Sequence, residues 1–235
     1  MASKKSTKGM NRLLAALPPK DAASLYRRFP TVALDLRTAL SKAGKPIDAV
    51  YFPNTGMISL VQTLEDGMAI EVGLIGAEGF FGVPLALGAR ATQTEAIVQG
   101  EGTALRIPAK AFIAELGRNE RFRALLLRYT QALLAQVIQT AACNGRHNLQ
   151  QRLARWLLEA HARMDGQAID ISHESLSYML GCRRSGVTVA LGALRRPGIV
   201  EAVRGNITVK DRKRLEARAC ECYRTVQAEF SRLLP

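Results

Sequence analysis

The chain has 235 residues, 48% hydrophobic and 23% charged, with 33 Lys and Arg against 20 Asp and Glu. This composition excludes a disordered chain, and no run of about 18 apolar residues is present to span a membrane. The formal charge of +13 points to a polyanionic partner, either nucleic acid or an acidic membrane surface.

Residues 1–9 form a Lys/Ser/Gly tail. No apolar segment of secretory length follows this basic start, so a cytoplasmic location is expected. Residues 11–17 and 20–29 read as two short helices parted by Pro18-Pro19. Short β-rich runs follow at 31–36, 49–52, 57–63, 68–75, 96–99 and 103–107. Pro53-Asn54-Thr55-Gly56 and Glu65-Asp66-Gly67 read as turns between them. Short strands at about ten-residue spacing predict a β-barrel, roll or sandwich.

From Pro108 the period becomes helical. Residues 109–116 form a short helix, and Asn119 caps a long one running to about Asn144. Its apolar positions make a band wider than a single seam. About 26 residues span roughly 39 Å, longer than a small β-domain needs. One face is expected on the β-domain and another on a second chain, with Phe122, Leu126, Tyr129, Leu133 and Val137 as dimer positions. Burial wholly within its own domain is the alternative. Gln131, Gln136 and Gln139 keep the seam from an ideal heptad. Asn144-Gly145 reads as a stop and hinge. Residues 149–164 form the next helix, with Trp156 in the core beside Leu153 and Leu157 and His161 solvated. Residues 168–171 read as a strand.

The stretch 172–209 is the most informative. Ser172 is a good N-cap, and Glu174 suits the positive end of the helix dipole. Leu176, Met179 and Leu180 share one face, and Gly181 supplies a tight turn. A second helix opens at Arg183, with Val187, Ala190, Leu191 and Leu194 inward. Arg183, Arg184, Ser185 and Thr188 stand outward near its start. Pro197-Gly198 ends it, and two β-runs flank Arg204-Gly205, a hairpin signal. Helix, short turn, helix and hairpin make a winged helix-turn-helix. Such a second helix fits the DNA major groove, where an arginine can make two hydrogen bonds to guanine.

The motifs His173-Glu-Ser-Leu-Ser-Tyr-Met-Leu-Gly-Cys-Arg-Arg, Val187-Thr-Val-Ala-Leu, Leu194-Arg-Arg-Pro-Gly-Ile-Val and Arg204-Gly-Asn-Ile-Thr-Val-Lys-Asp-Arg-Lys-Arg-Leu resemble the Crp/Fnr family of bacterial transcription factors. Arg146-His-Asn-Leu-Gln-Gln-Arg-Leu-Ala-Arg-Trp-Leu is similar to the family's helix entering the DNA domain. The resemblance covers about residues 12–222. It implies an α+β fold: a cyclic-nucleotide-binding-like β-roll (jelly roll) over 1–117, a long dimerisation helix and hinge over 118–145, and a winged helix-turn-helix over 146–235. It also implies a homodimer that binds a near-palindromic site on double-stranded DNA and works with RNA polymerase. Arg184 matches the family's base-reading arginine, and Ser172 and His173 match phosphate-contacting positions. Arg183, Ser185, Thr188 and Arg204 complete the expected DNA-binding set. Ser185 and Val189 depart from the family's usual Glu and second Arg, so its usual half-site is not expected.

The effector side departs further. Gly79, Phe80, Phe81 and Gly82 keep the family's turn, but Val83 stands where cyclic-nucleotide binders place a ribose-binding Glu. Thr94 and Glu95 stand where a phosphate-binding Arg is needed, and Arg90 lies four residues early. These residues are the candidate pocket for a small-molecule effector that stays unidentified, and cAMP is not expected. The family's N-terminal iron–sulfur cysteines and a haem-ligating His in the β-domain are missing from the sequence.

The four cysteines, Cys143, Cys182, Cys220 and Cys222, form no C-x-x-C pair, so reduced thiols without a metal are expected. Cys220-x-Cys222 stays a candidate for redox or metal chemistry. No P-loop, G-x-S-x-G or H-E-x-x-H motif suggests an enzyme. The alternative is a nonspecific nucleic-acid-binding protein with a vestigial sensor domain, but aromatics at 6% offer little stacking surface. The charge partition favours the regulator. Residues 1–30 hold seven Lys/Arg and one acid, 31–144 ten and ten, and 145–235 sixteen and nine. The segment with the helix-turn-helix is therefore basic, beside a neutral middle.

Overall fold

The computed structural model describes residues 9–234, so the lysines of the N-terminal tail lie outside the described residues. A 3-10 turn, Leu14–Ala16, precedes helix α1 (Pro19–Arg28). Buried Asn11 stitches this segment to the β-domain. Its amide donates to the Pro53 and Gly79 carbonyls at 2.7 and 2.9 Å.

Strands β1 (Thr31–Leu34), β2 (Ala39–Ser41), β3 (Ala49–Thr63) and β4 (Ala69–Ile75), helix α2 (Val83–Ala86) and strand β5 (Glu95–Pro108) build the first domain. The five antiparallel strands run β1-β5-β3-β4, with β2 also on β5. Two expected breaks are absent. Residues 49–63 form one strand, because bulges at Pro53/Thr55, Thr55/Met57 and Met57/Ile58 bend the chain without ending its pairing. Gly56 makes this possible at φ 78°, where an added Cβ would lie 2.5 Å from the Gly100 carbonyl oxygen. Residues 95–108 are likewise one strand, with Gly100 and Gly102 lying against β3 where larger residues would collide.

Helix α3 (Ala109–Arg118) leads into α4 (Glu120–Arg146). Asn119 caps α4 by accepting from Phe122 N at 3.0 Å. Gly145 does not stop the helix, which ends when His147 turns extended at φ −97°, ψ 147°. Helix α5 (Leu149–Arg163) then opens on a reciprocal cap between Asn148 and Gln151. The remaining elements are β6 (Ile169–Asp170), α6 (His173–Met179), α7 (Arg184–Arg195), β7 (Val200–Val203), β8 (Asn206–Val209), α8 (Arg212–Glu216) and α9 (Cys222–Leu233). The second sheet runs β6-β8-β7.

Two cores result. The first gathers Phe52, Phe80, Phe112, Phe122 and Tyr129 among the aliphatic residues of the β-domain and α4. The second surrounds Trp156 with Leu157, Leu176, Val187, Leu191 and Ile207, and takes Met57 and Leu74 from the first sheet. This arrangement corrects the dimer positions. Phe122, Leu126, Tyr129 and Leu133 are at most 6% exposed within one chain, because the wide apolar band wraps onto the β-domain. Val137 is half-buried. The outward face carries Leu127, Leu134 and Ile138 instead, at 44, 50 and 60% exposure. His161 is not simply solvated either. Burial lowers its pKa, and Nδ1 has no hydrogen-bond partner.

Candidate nucleic-acid interface

The helix-turn-helix follows from local chemistry. Ser172 Oγ accepts from Ser175 N at 3.0 Å and starts α6. Gly181 turns the chain at φ 55°, and an added Cβ would lie 2.7 Å from Ile70 Cδ1. Only glycine meets both demands. Val187, Ala190, Leu191 and Leu194 pack α7 inward, which leaves Arg183, Arg184, Ser185, Thr188 and Val189 exposed on the opposite face. Arg204 and Gly205, at φ 48° and 86°, form the tip of the β7–β8 wing. Two consecutive positive-φ residues are what a type I′ hairpin requires.

Three expected residues form a small network. Thr188 donates its hydroxyl proton to the Arg184 carbonyl at 3.2 Å. Its oxygen then accepts from His173 Nδ1 at 3.0 Å, which leaves His173 Nε2 without a bond to this network. A crevice between α7 and the wing is lined by His173, Thr188, Arg195 and Arg204. Among the described residues, Arg183, Arg184, Arg195, Arg196 and Arg204 are exposed and form no ion pair. The result is a rigid scaffold presenting cationic side chains that no acid neutralises.

The effector turn is different. Phe80 is fully buried, with ring centroids 5.2 Å from Phe52 and 5.1 Å from Tyr129. Phe81 exchanges two backbone hydrogen bonds with Tyr51 and is also buried. Both belong to the core, which corrects their expected place in a pocket. Gly79 must lack a side chain, since a Cβ would meet the Tyr129 ring at 2.3 Å. Val83, Thr94 and Glu95 are half-buried, and Thr94 shares a 3.0 Å contact with Thr92 Oγ1. With Val at the ribose position and Thr at the phosphate position, these residues do not fit a cyclic nucleotide held in the family's manner.

The domain seam was not foreseen. Trp156 is in the core as expected, but its indole N–H donates across the boundary to Glu71 Oε1 at 2.9 Å. Ser59 donates to the other oxygen, and burial pushes the Glu71 pKa up to about 7. Glu78 pairs with Arg163 at 2.8 Å and Arg12 at 3.3 Å. Although burial works the other way, these guanidiniums hold its carboxyl below the ordinary value. The partners are 66 and 85 residues apart, beyond the reach of spacing rules.

Comparison with known proteins adds the relationship. Residues 32–119 match the family model described as a cyclic nucleotide-binding domain, and residues 151–218 match the Crp-like helix-turn-helix domain. The chain is 27% identical over 206 residues to the global nitrogen regulator of Nostoc sp. (strain PCC 7120 / SAG 25.82 / UTEX 2576), across 81% of this chain and 92% of that protein. Its fold is similar to that of FixK2 from Bradyrhizobium japonicum, with a TM-score of 0.69 and 19% identity, covering 82% of this chain and 98% of that one. It is also similar to a CRP-family regulator from Thermus thermophilus, with a TM-score of 0.66 and 21% identity, covering 80% and 96%. With both domain types in this order on one polypeptide, the chain belongs to the Crp/Fnr family of transcriptional regulators, a non-enzyme class.

Proposed function

We propose that the protein works in the cytoplasm as a homodimer and reads a near-palindromic DNA site with two copies of α7. The observation that carries this reading is the exposed, unpaired arginine face at the start of a firmly packed helix. In this reading Arg184 contacts base edges and Arg183, Ser185 and Thr188 flank it. Ser172, His173 and Arg204 hold phosphates. The dimer forms through Leu127, Leu134 and Ile138, which recur on one face of α4 at spacings of seven and four. Residues 1–117, 118–145 and 146–235 then divide into sensor, dimer helix with hinge, and DNA-binding domain. The sensor takes an unidentified small effector, and the bound dimer contacts RNA polymerase.

Selection from a random DNA pool, followed by footprinting, is expected to yield two half-sites about one helical turn apart. Recovery of no motif would favour the nonspecific binder with a vestigial sensor. Arg184→Ala should lose about 1–3 kcal/mol of discrimination at one base per half-site. Arg204→Ala should instead weaken all sequences alike and reduce the salt slope by about one per chain.

A further inference from the structure

We propose that Cys143, His147, Cys220 and Cys222 form a tetrahedral site for one zinc-like divalent cation. Their ligand atoms all lie within 4.8 Å of one another. Cys143 Sγ is 3.5 Å from Cys220 Sγ, and Cys222 Sγ is 3.5 Å from His147 Nδ1. A zinc ion with sulfur ligands at about 2.3 Å sets its ligand atoms about 3.8 Å apart in a tetrahedron. The four atoms therefore already occupy nearly the volume that one ion requires. An iron–sulfur cluster places its ligands on separate irons and so holds them farther apart, which favours a single ion.

The surroundings match a metal centre as well. Cys143 lies in the last turn of α4, and His147, the residue that ends the helix, donates its backbone N–H to the Cys143 carbonyl at 3.0 Å, which holds the two close together. Cys220 and Cys222 approach from the segment entering α9. His147 Nε2 lies 3.3 Å from Glu221 Oε1. A carboxylate at that position favours the Nε2–H tautomer, which leaves the Nδ1 lone pair for the metal, as the carboxylate partner of a metal-bound histidine does. Gln139 Nε2 lies 3.0 Å from Cys222 Sγ, a contact that suits a sulfur acceptor carrying negative charge. Three thiolates and a neutral imidazole around a dication leave the site with one net negative charge, close to the buried Arg155. Cys182 stands outside the cluster.

The test uses the reduced full-length protein without DNA. After zinc loading and desalting, metal analysis is expected to give about one zinc per chain. Cobalt(II) should give the intense visible bands of a tetrahedral site together with thiolate charge-transfer absorption. Cys222→Ser and Cys143→Ser should abolish that charge-transfer signal or reduce it stepwise, while Cys182→Ser should keep it whole. Glu221→Ala should weaken retention about tenfold. X-ray absorption on the zinc-loaded wild type does not depend on any variant folding, and should show three sulfurs at about 2.3 Å and one nitrogen at about 2.0 Å. A shell of oxygens, loss of the metal on desalting, or equal loss of signal in Cys182→Ser would overturn the site.

Discussion

At Glu71 a carboxyl faces an indole across the boundary between the two cores. Burial lifts its pKa from 4.5 to about 7, while the Ser59 and Trp156 hydrogen bonds and Arg155 pull it down and Glu159 raises it. The folded chain therefore keeps this proton at pH values where the unfolded chain has lost it. The stability contributed is full below about pH 4.5 and is lost as pH rises towards 7, on the order of 3 kcal/mol in all. Glu71→Gln keeps an acceptor for Trp156 and does not ionise. Its melting temperature should exceed that of the wild type at pH 8, with a flatter profile between pH 4.5 and 7. Parallel profiles would show that Glu71 does not titrate in this range. At Gly181, Ala would adopt a positive φ and press on Ile70, which should cost about 1–2 kcal/mol by chemical denaturation.

Helix α4 shows how much an element's sequence reveals. Its cap at Asn119 and its length were legible, because both depend on near neighbours. Which apolar residues face which partner was not, because α4 has two apolar faces and only the packed β-domain separates them. The same limit explains the strands. Pro53 and Gly56 carry turn chemistry, but their cross-strand neighbours on β5 keep the pairing continuous. The winged motif was legible almost throughout, since Ser172, Gly181, Pro197, Gly198, Arg204 and Gly205 act locally. The corrected face gives a direct expectation. Leu134→Glu with Ile138→Glu should shift the protein from dimer to monomer in sedimentation velocity while its far-ultraviolet circular dichroism stays unchanged. A persistent dimer would place the interface elsewhere.

At the scale of the whole molecule, the two cores are joined by polar contacts that no single segment encodes. Trp156–Glu71 and Arg163–Glu78 tie α5 to the first sheet and its turn. Trp156→Phe removes the indole donor while keeping an aromatic ring, and leaves a buried carboxyl short of one partner. It should cost about 1–3 kcal/mol and speed amide exchange along β4 and α5 before it affects α7. Helix α9 adds another tie. Its Tyr223 belongs to the second core, and its Phe230 meets Tyr129 of the first at 6.3 Å. In chain order this helix follows nearly everything else in both cores, so the ribosome makes it after them. Both cores can therefore begin to condense during synthesis, but the clasp between them closes only once α9 has emerged. A message cut short before codon 222 would yield two halves without their closing strap.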